Sequence, residues 1–205
     1  MADELSIRVL FIVLYGLFLI PRGYYRFVKP RHEKEKTGET DRATVGKIQA
    51  VLTLIILGGL ISSILYVLGL PLMDWFQMLQ YPIWLRVAGA LLVLIMIPLL
   101  AWIHRELDRQ YSAVLKIKSD HQLITTGPYE RVRHPMYTVL ILFFFGLSLV
   151  SANLIVILFA VLLMLAFPFW VRIEEEKMIE VFGEEYIEYM KRTGRFFPPV
   201  QQKKN

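Results

Sequence analysis

Two groups of charged side chains next to apolar tracts of the sequence could carry chemistry. Arg133 and His134 are adjacent, and Arg172 is followed three and four residues later by Glu175 and Glu176, on one face of a helix. An arginine can orient a carboxylate through charge-assisted hydrogen bonds, and a glutamate or histidine can remove a proton. Arg133, Arg172 and Glu176 are therefore candidate catalytic residues. Glu175, Glu176 and His134 are the candidate bases for a substrate that must lose a proton.

Each group also has a purely structural explanation. The Arg133-His134 pair suits membrane anchoring and helix capping. Arg172 and Glu176 suit a surface ion pair, which contributes less than about 1 kcal/mol. Taken separately, both groups fit these explanations well. A functional site is favoured because the intervening chain is expected to bring the two groups together.

The chain between the two groups is one long apolar tract, residues 137–171. Its 35 residues exceed the roughly 20 that cross a bilayer core, and the Ser-Ala-Asn sequence at 151–153 has the composition of a turn. The tract is predicted to form two antiparallel helices, 137–150 and 154–171. Because the outer ends of a hairpin are neighbours, the two charged groups should meet in one polar pocket.

Three further apolar tracts, residues 5–20, 48–70 and 83–103, each suit one membrane span. Hydrophobic residues make up 56% of the sequence, more than an ordinary water-soluble domain contains. We therefore predict an all-α fold, a single integral membrane domain of residues 1–205 with five transmembrane helices.

The basic residues indicate the orientation of this domain. Of 23 lysines and arginines, eight lie in 21–47, six in 104–134 and seven from 172 onward, which leaves only Arg8 and Arg86 elsewhere. The positive-inside rule places these three segments in the cytoplasm, so the N-terminus is expected outside and the C-terminus in the cytoplasm. Basic residues divided in this way form no single stripe, and no nucleic-acid partner is expected.

Several kinds of site are excluded or unsupported. The chain has no cysteine, and its four histidines show no i,i+3 or i,i+4 spacing, so no metal site is predicted. No phosphate-binding glycine loop and no metalloprotease motif occur. The connector 104–134 and the tail 172–199 are too short for a separate catalytic domain. Any active site is therefore expected at the cytoplasmic face of the membrane, built from this connector and tail.

A series of motifs runs through the second half of the chain: Gly127-x-Tyr129-x-x-x-Arg133-His134-Pro135-x-Tyr137, Asn153, Arg172-x-x-Glu175-Glu176, Phe182-Gly183-x-x-Tyr186-x-x-Tyr189 and Arg195-x-x-Pro198. The series covers roughly residues 102–199 and resembles the isoprenylcysteine carboxyl methyltransferase family, in particular its short five-helix prokaryotic members.

The resemblance implies an S-adenosylmethionine-dependent methyltransferase whose lipophilic acceptor arrives from the bilayer. It also implies which residues hold the cofactor: His121, Gln122, Leu123, Ile124, Gly127, Tyr129, His134, Tyr137 and Glu175. The expected partners are thus a small lipophilic acceptor and membrane lipid. Small residues such as Gly146 are expected either to pack helices closely or to leave a lateral groove for the acceptor.

Two other functions remain alternatives. A membrane reductase on a similar helical scaffold would bind NADPH, but the connector 104–134 is poor in the glycines that cradle phosphates. A non-enzymatic lipid-binding protein would bind no small cofactor, yet it would leave carboxylates at a membrane edge without a ligand. The tail helix around 182–189 is equally compatible with a lid over the pocket and with an amphipathic packing element.

Overall fold

The computed structural model describes residues 4–25, 35–36, 42–77, 80–107, 117–118 and 123–199. Within these ranges the α-helices are α1 (Glu4–Gly23), α2 (Arg42–Val67), α3 (Pro71–Asp74), α4 (Ile83–Leu107), α5 (Pro135–Ser151), α6 (Leu154–Phe182) and α7 (Glu184–Arg192). A 3-10 helix covers Gly127–Glu130, and the two-residue strands β1 (Glu35–Lys36) and β2 (Ile117–Lys118) pair antiparallel. The all-α prediction is confirmed, since every longer element is a helix.

Four helices are long and apolar enough to cross a membrane, judged by length and composition: α1, Gly46–Val67 of α2, α4 and α6. Helix α5 is apolar but has only 17 residues, so the predicted count of five spans stays a prediction. Its side chains at Val139, Phe143 and Leu147 are buried, because α5 packs against α1, α4 and α6. This shorter helix therefore lies at the centre of the bundle.

Helix α6 is longer than its predicted span, 154–171, and continues to Phe182. The added turns contain four glutamates, one lysine and one methionine, all residues that favour helix. The helix ends at Gly183, whose φ of +53° lies in the left-handed region where glycine is favoured. One continuous helix therefore connects the apolar bundle to the charged residues beyond it.

The predicted turn of the hairpin is confirmed. Ala152 adopts a left-handed conformation with φ 51°, and its N–H donates to the carbonyl of Ser148. Asn153 then caps α6, because its side-chain oxygen accepts hydrogen bonds from the N–H groups of Ile155 and Val156. The turn returns the chain so that the outer ends of α5 and α6 are neighbours.

Helices α4 and α5 approach closely at two glycines. A Cβ at Gly89 would lie 2.6 Å from the carbonyl oxygen of Gly146, and one at Gly146 would lie 2.9 Å from that of Gly89. Gly146 is buried in this contact. The hypothesis that it borders a lateral groove is therefore wrong, because the small residue serves to let two backbones touch.

The two basic residues outside the three basic segments both have acceptors. Arg8 donates to Asp74 at 2.8 Å, and Arg86 donates to the carbonyl of Val150 at 2.8 Å. Tyr66 joins this end of the bundle by donating to Glu4 at 2.9 Å. These contacts connect α1, α2, α3, α4 and α5 at the end of the bundle remote from Arg133.

Candidate functional site

The two charged groups separated by the hairpin meet at one site, as predicted. Nε of Arg133 lies 2.9 Å from Oε1 of Glu175, and Nε2 of His134 lies 3.3 Å from the same oxygen. Arg133 and His134 immediately precede α5, while Glu175 stands on the extension of α6 beyond its apolar part. The Glu175 side chain is only 4% exposed, so this anion is removed from water and needs its partners.

The tail contributes further partners to the same group. Arg195 donates to Oε2 of Glu175, so both oxygens of this carboxylate are engaged. The Nη1 group of Arg133 donates to the carbonyl of Met190 at 3.1 Å and to the carbonyl of Thr193. Arg133 thus connects the start of α5, the end of α6 and the tail.

Backbone hydrogen bonds complete the attachment of the tail. Val132 and Gly194 form a parallel bridge, and the N–H of Gly194 donates to the carbonyl of Arg131 at 3.0 Å. The N–H of Arg133 donates to Gly194 at 2.9 Å, and that of His134 donates to Arg195 at 3.0 Å. We call these contacts of residues 131–134 with 190–195 the tail clamp.

The surroundings of Glu175 determine its charge. Burial alone would raise the pKa of this carboxyl, but hydrogen bonds with His134, Arg195 and Arg133 outweigh burial and lower the pKa to about 2. Glu175 is therefore an anion throughout the physiological pH range. Its role in the structure is to hold the side chains of Arg133, His134 and Arg195 in place.

Glu174 is the site residue that sequence reasoning missed. Its Oε2 lies 3.7 Å from Nδ1 of His134, is buried, and accepts no hydrogen bond from the described residues. The signal that could have found it is the buried stripe of α6. Phe167, Trp170 and Val171 are buried, and continuing their helical spacing by one turn reaches 174 and 175.

Two predicted catalytic residues lie apart from this cluster. Arg172 and Glu176 are exposed on α6, on the side opposite the buried stripe. In the described part of this helix, Arg172 forms no ion pair with Glu175 or Glu176, so the pairing expected from i+3 and i+4 spacing is absent. Their predicted roles in catalysis stay predictions.

An aromatic layer lies about one helical turn deeper in the bundle than the charged cluster. Nε1 of Trp170 donates to the hydroxyl of Tyr137 at 2.8 Å. The Tyr137 ring lies 5.9 Å from the ring of His134 and 5.0 Å from that of Phe167. The site therefore changes from charged to aromatic to aliphatic along the bundle axis, which suits a ligand that is polar at one end.

The connector contributes its last residues to the site. Gly127 has φ +59°, a left-handed conformation in which glycine is favoured, and it packs against the side chain of Glu106. Tyr129 is buried, and its carbonyl accepts a hydrogen bond from the Tyr189 hydroxyl at 2.6 Å. The tail helix is therefore joined to the connector as well as to α5.

The four remaining predicted cofactor residues lie in the connector, shortly before Gly127. Leu123 and Ile124 are partly buried, and Ile124 packs against the core. His121 and Gln122 lie outside the described residues. Among the residues that the structure describes, no three metal-ligating side chains form a group that could hold an ion.

Comparison with known proteins identifies relatives for this half of the chain. Residues 84–185 match the model of the phospholipid methyltransferase family. The chain is 37% identical over 91 residues to protein-S-isoprenylcysteine O-methyltransferase of Saccharomyces cerevisiae, a match that covers 43% of this chain and 38% of the relative. It is 32% identical over 95 residues to protein-S-isoprenylcysteine O-methyltransferase B of Arabidopsis thaliana, covering 45% and 48%.

Another relative is named for metal resistance and not for methyl transfer. The cobalt-zinc-cadmium resistance protein CzcN of Cupriavidus metallidurans is 34% identical over 82 residues, which are 40% of this chain and 38% of the relative. The chain thus spans less than half the length of each of these relatives. The family match includes α4, the connector, α5 and α6, which together form most of the site. These matches and the apolar helices indicate an integral membrane protein whose residues 84–185 match the phospholipid methyltransferase family and are similar to protein-S-isoprenylcysteine O-methyltransferases.

Proposed function

We propose that this protein is an S-adenosylmethionine-dependent methyltransferase that acts on a lipophilic acceptor delivered by the membrane. The observation that carries the proposal is the placement of His134 between Glu174 and Glu175, where the apolar bundle ends. Relatives in the same family are named as O-methyltransferases of protein S-isoprenylcysteine. An acceptor of similar chemistry, a carboxylate on a prenyl-like hydrocarbon, fits a site that is charged at one end and apolar at the other.

The residues of the site fit the proposed cofactor. S-adenosylmethionine supplies an activated methyl group on a sulfonium and carries an ammonium group. The buried Oε2 of Glu174 lacks a donor among the described residues, and an ammonium would provide one. Tyr137 lies beside His134, with ring centres 5.9 Å apart, and the turn at Gly127 and Tyr129 is joined to the tail helix through Tyr189. With Leu123, Ile124, His121 and Gln122 they are the proposed cofactor-holding set.

Glu175 and Arg133 position this set through contacts with His134 and with the tail. Both oxygens of Glu175 are engaged by Arg133, His134 and Arg195, so we assign the carboxylate to positioning His134 and the tail. Arg133 donates to Glu175 and to tail carbonyls. We therefore assign it to the tail clamp, and we do not assign it the role of orienting an acceptor. Replacing either residue should disturb the cofactor site without removing a direct ligand.

Arg172 is the remaining candidate for orienting an acceptor carboxylate, and it lies on the side of α6 opposite the buried stripe that carries Glu175. It is exposed and forms no ion pair with a described residue, so its charge is available. A carboxylate is already a nucleophile at neutral pH, and the main tasks of the protein are then alignment and the exclusion of water. No base is needed for such an acceptor, and Glu176 would act as a base only for an amine.

The proposed membrane arrangement follows the basic segments. We propose five spans, with α5 as the additional one, and place the site at the cytoplasmic face because residues 104–134 and 172–199 carry most of the basic charge near it. The cofactor would reach the site from the cytoplasm, whereas the acceptor would arrive from the bilayer.

Titration calorimetry on the detergent-purified protein tests the proposal. We expect S-adenosylhomocysteine to bind and NADPH not to bind. His134→Ala should weaken the binding of S-adenosylhomocysteine at least about tenfold, as expected for the loss of a buried polar contact to a charged ligand. A matched control is Glu180→Gln, an exposed residue of the same helix. Binding of NADPH alone would support the reductase, and binding of neither compound would support a non-enzymatic protein.

A further inference from the structure

Trp170 forms a polar contact inside the aromatic layer that the proposed chemistry does not yet use. Its indole N–H donates to the hydroxyl of Tyr137 at 2.8 Å. The Trp170 residue is 7% exposed, so water does not compete for this hydrogen bond. Tyr137 lies in the first turn of α5, three residues after His134, and its ring is 5.9 Å from that of His134 and 5.0 Å from that of Phe167.

This hydrogen bond restricts the hydroxyl of Tyr137 in a particular way. A tryptophan N–H can only donate, whereas a tyrosine hydroxyl can donate once and accept. Conjugation keeps the hydroxyl hydrogen near the plane of the ring, where two directions are available. The donor hydrogen of Trp170 repels the hydroxyl hydrogen from one of them. Tyr137 is therefore oriented to donate on the side away from Trp170.

We propose that Trp170 is a positioning residue of the methyltransferase site, which sets the ring and the hydroxyl direction of Tyr137 for the bound cofactor. This inference rests on the proposed function. Trp170 acts through Tyr137, since its side chain is buried between α5 and α6 and its polar atom is taken by the hydroxyl. Trp170 lies one turn before Glu174 on α6. One face of this helix therefore carries both Trp170 and the carboxylate proposed to contact the ammonium group of the cofactor.

The position of the contact also explains why it should matter to the ligand. The charged cluster ends at His134 and the aliphatic part of the bundle begins near Phe167, with Tyr137 between them. A ligand with a charged end and a less polar ring system would cross this boundary. A hydroxyl with a set direction at the boundary discriminates by hydrogen bonding, whereas a freely rotating hydroxyl would lose part of that contact.

A double-mutant cycle with S-adenosylhomocysteine as the probe tests the inference. Trp170→Phe and Tyr137→Phe each keep an aromatic ring and remove one hydrogen-bonding partner. We expect each variant to bind about 3- to 10-fold more weakly, the effect of one neutral hydrogen bond. The double variant should bind no more weakly than Tyr137→Phe alone, because Trp170 then has no hydroxyl to position. Losses that multiply in the double variant would overturn the inference.

A spectroscopic measurement separates positioning from simple packing. The chain has four tryptophans, and Trp75, Trp84 and Trp102 are 80%, 67% and 48% exposed. In protein with nitrogen-15 tryptophan, the signal that disappears in Trp170→Phe identifies the Trp170 indole. We expect this signal to exchange most slowly with deuterium and to be the one that moves in Tyr137→Phe. A Trp170 signal unaffected by Tyr137→Phe would overturn the inference.

Two controls keep the outcomes distinct. Phe169→Leu alters the exposed neighbour of Trp170 and should leave the binding of S-adenosylhomocysteine unchanged. If the unaltered protein does not bind S-adenosylhomocysteine, the proposed function fails and this inference fails with it. If the unaltered protein binds and Trp170→Phe binds equally well, only the positioning role of Trp170 fails.

Discussion

At the level of single residues, three consecutive carboxylates of α6 have three different surroundings. Glu174 directs toward His134 a buried oxygen that has no donor among the described residues, Glu175 accepts from several donors, and Glu176 is exposed. The three side chains point in different directions because successive residues of a helix are about 100° apart. Identical residue types thus have separate roles, which is the basis of two predictions.

The first prediction concerns Glu174 and Glu176. Glu174→Gln should weaken the binding of S-adenosylhomocysteine by about 10-fold or more, because it removes the charge that would face the ligand's ammonium. Glu176→Gln, a matched change on the exposed side, should leave binding within about twofold. Calorimetry on the two variants measures both effects. Equal losses would mean that the ligand does not contact Glu174.

The second prediction concerns acid and Glu175. Its pKa is lowered from the ordinary 4.5 to about 2, so its contribution to stability is complete above about pH 4.5 and is lost as the pH falls toward 2. The melting temperature of the unaltered protein should therefore exceed that of Glu175→Gln at pH 6. This difference should shrink below pH 4.5. A difference that stays constant from pH 6 to pH 2.5 would contradict the electrostatic role.

The sequence predicted part of this residue-level arrangement. His134, Glu175 and their convergence followed from the hairpin, because an apolar tract of that length has to turn back. Glu174 was missed because the face of α6 toward the site was inferred from Arg172, which is exposed. The face that is buried depends on contacts with other helices, which the local sequence does not show. The bonds of Arg133 to Met190 and Thr193 join residues 57 and 60 apart in the chain, and no local pattern encodes them.

At the level of elements, the tail is attached mainly through its backbone. The strand-like run at Gly194 bonds residues 131 and 133, and Thr138 donates to the carbonyl of Phe196 at 2.7 Å. Backbone contacts depend little on side-chain identity, but they require the two chains to approach closely. The attachment of the tail therefore depends on Gly194, which has no side chain.

The third prediction follows from that dependence. A Cβ at Gly194 would overlap the carbonyl oxygen of Phe197, so Gly194→Ala should displace the tail at a cost of about 3 kcal/mol or more. Trypsin should then cut the tail faster, and binding of S-adenosylhomocysteine should weaken in parallel because Arg195 is no longer held on Glu175. Gly16→Ala, where a Cβ meets open space, is the matched control. Unchanged cleavage would show that the tail clamp can adjust.

At the level of the whole molecule, both ends of the bundle are polar but differ in kind. The site end gathers arginines, histidine and glutamates, and Oε2 of Glu174 has no donor among the described residues, whereas at the other end Arg8 and Arg86 each donate to an acceptor. Nε of Arg8 is also buried and has no hydrogen-bond acceptor among these residues, so the two ends differ in the kind of atom that lacks a partner. A buried acceptor oxygen at the site end suits a cationic ligand.

The fourth prediction tests the orientation of the bundle. A reporter fused after residue 205 should be cytoplasmic, and a reporter inserted between 71 and 82 should be external, since that segment has no basic residue. Alkaline phosphatase and green fluorescent protein fusions give opposite signals on the two sides. A cytoplasmic signal from the 71–82 insertion would rule out the proposed five-span arrangement.

Helix α6 is longer than the hydrocarbon core of a bilayer, so the depth of the site should depend on membrane thickness. Its 29 residues span roughly 43 Å, against a hydrocarbon thickness of about 30 Å, and the carboxylates lie on the same rod as the lipid-facing residues. Longer acyl chains would draw Glu174 toward hydrocarbon, and shorter ones would expose the aromatic layer to water. Turnover in vesicles should therefore peak at one acyl-chain length and fall on both sides of it, so that the cell's choice of lipids would itself tune the enzyme.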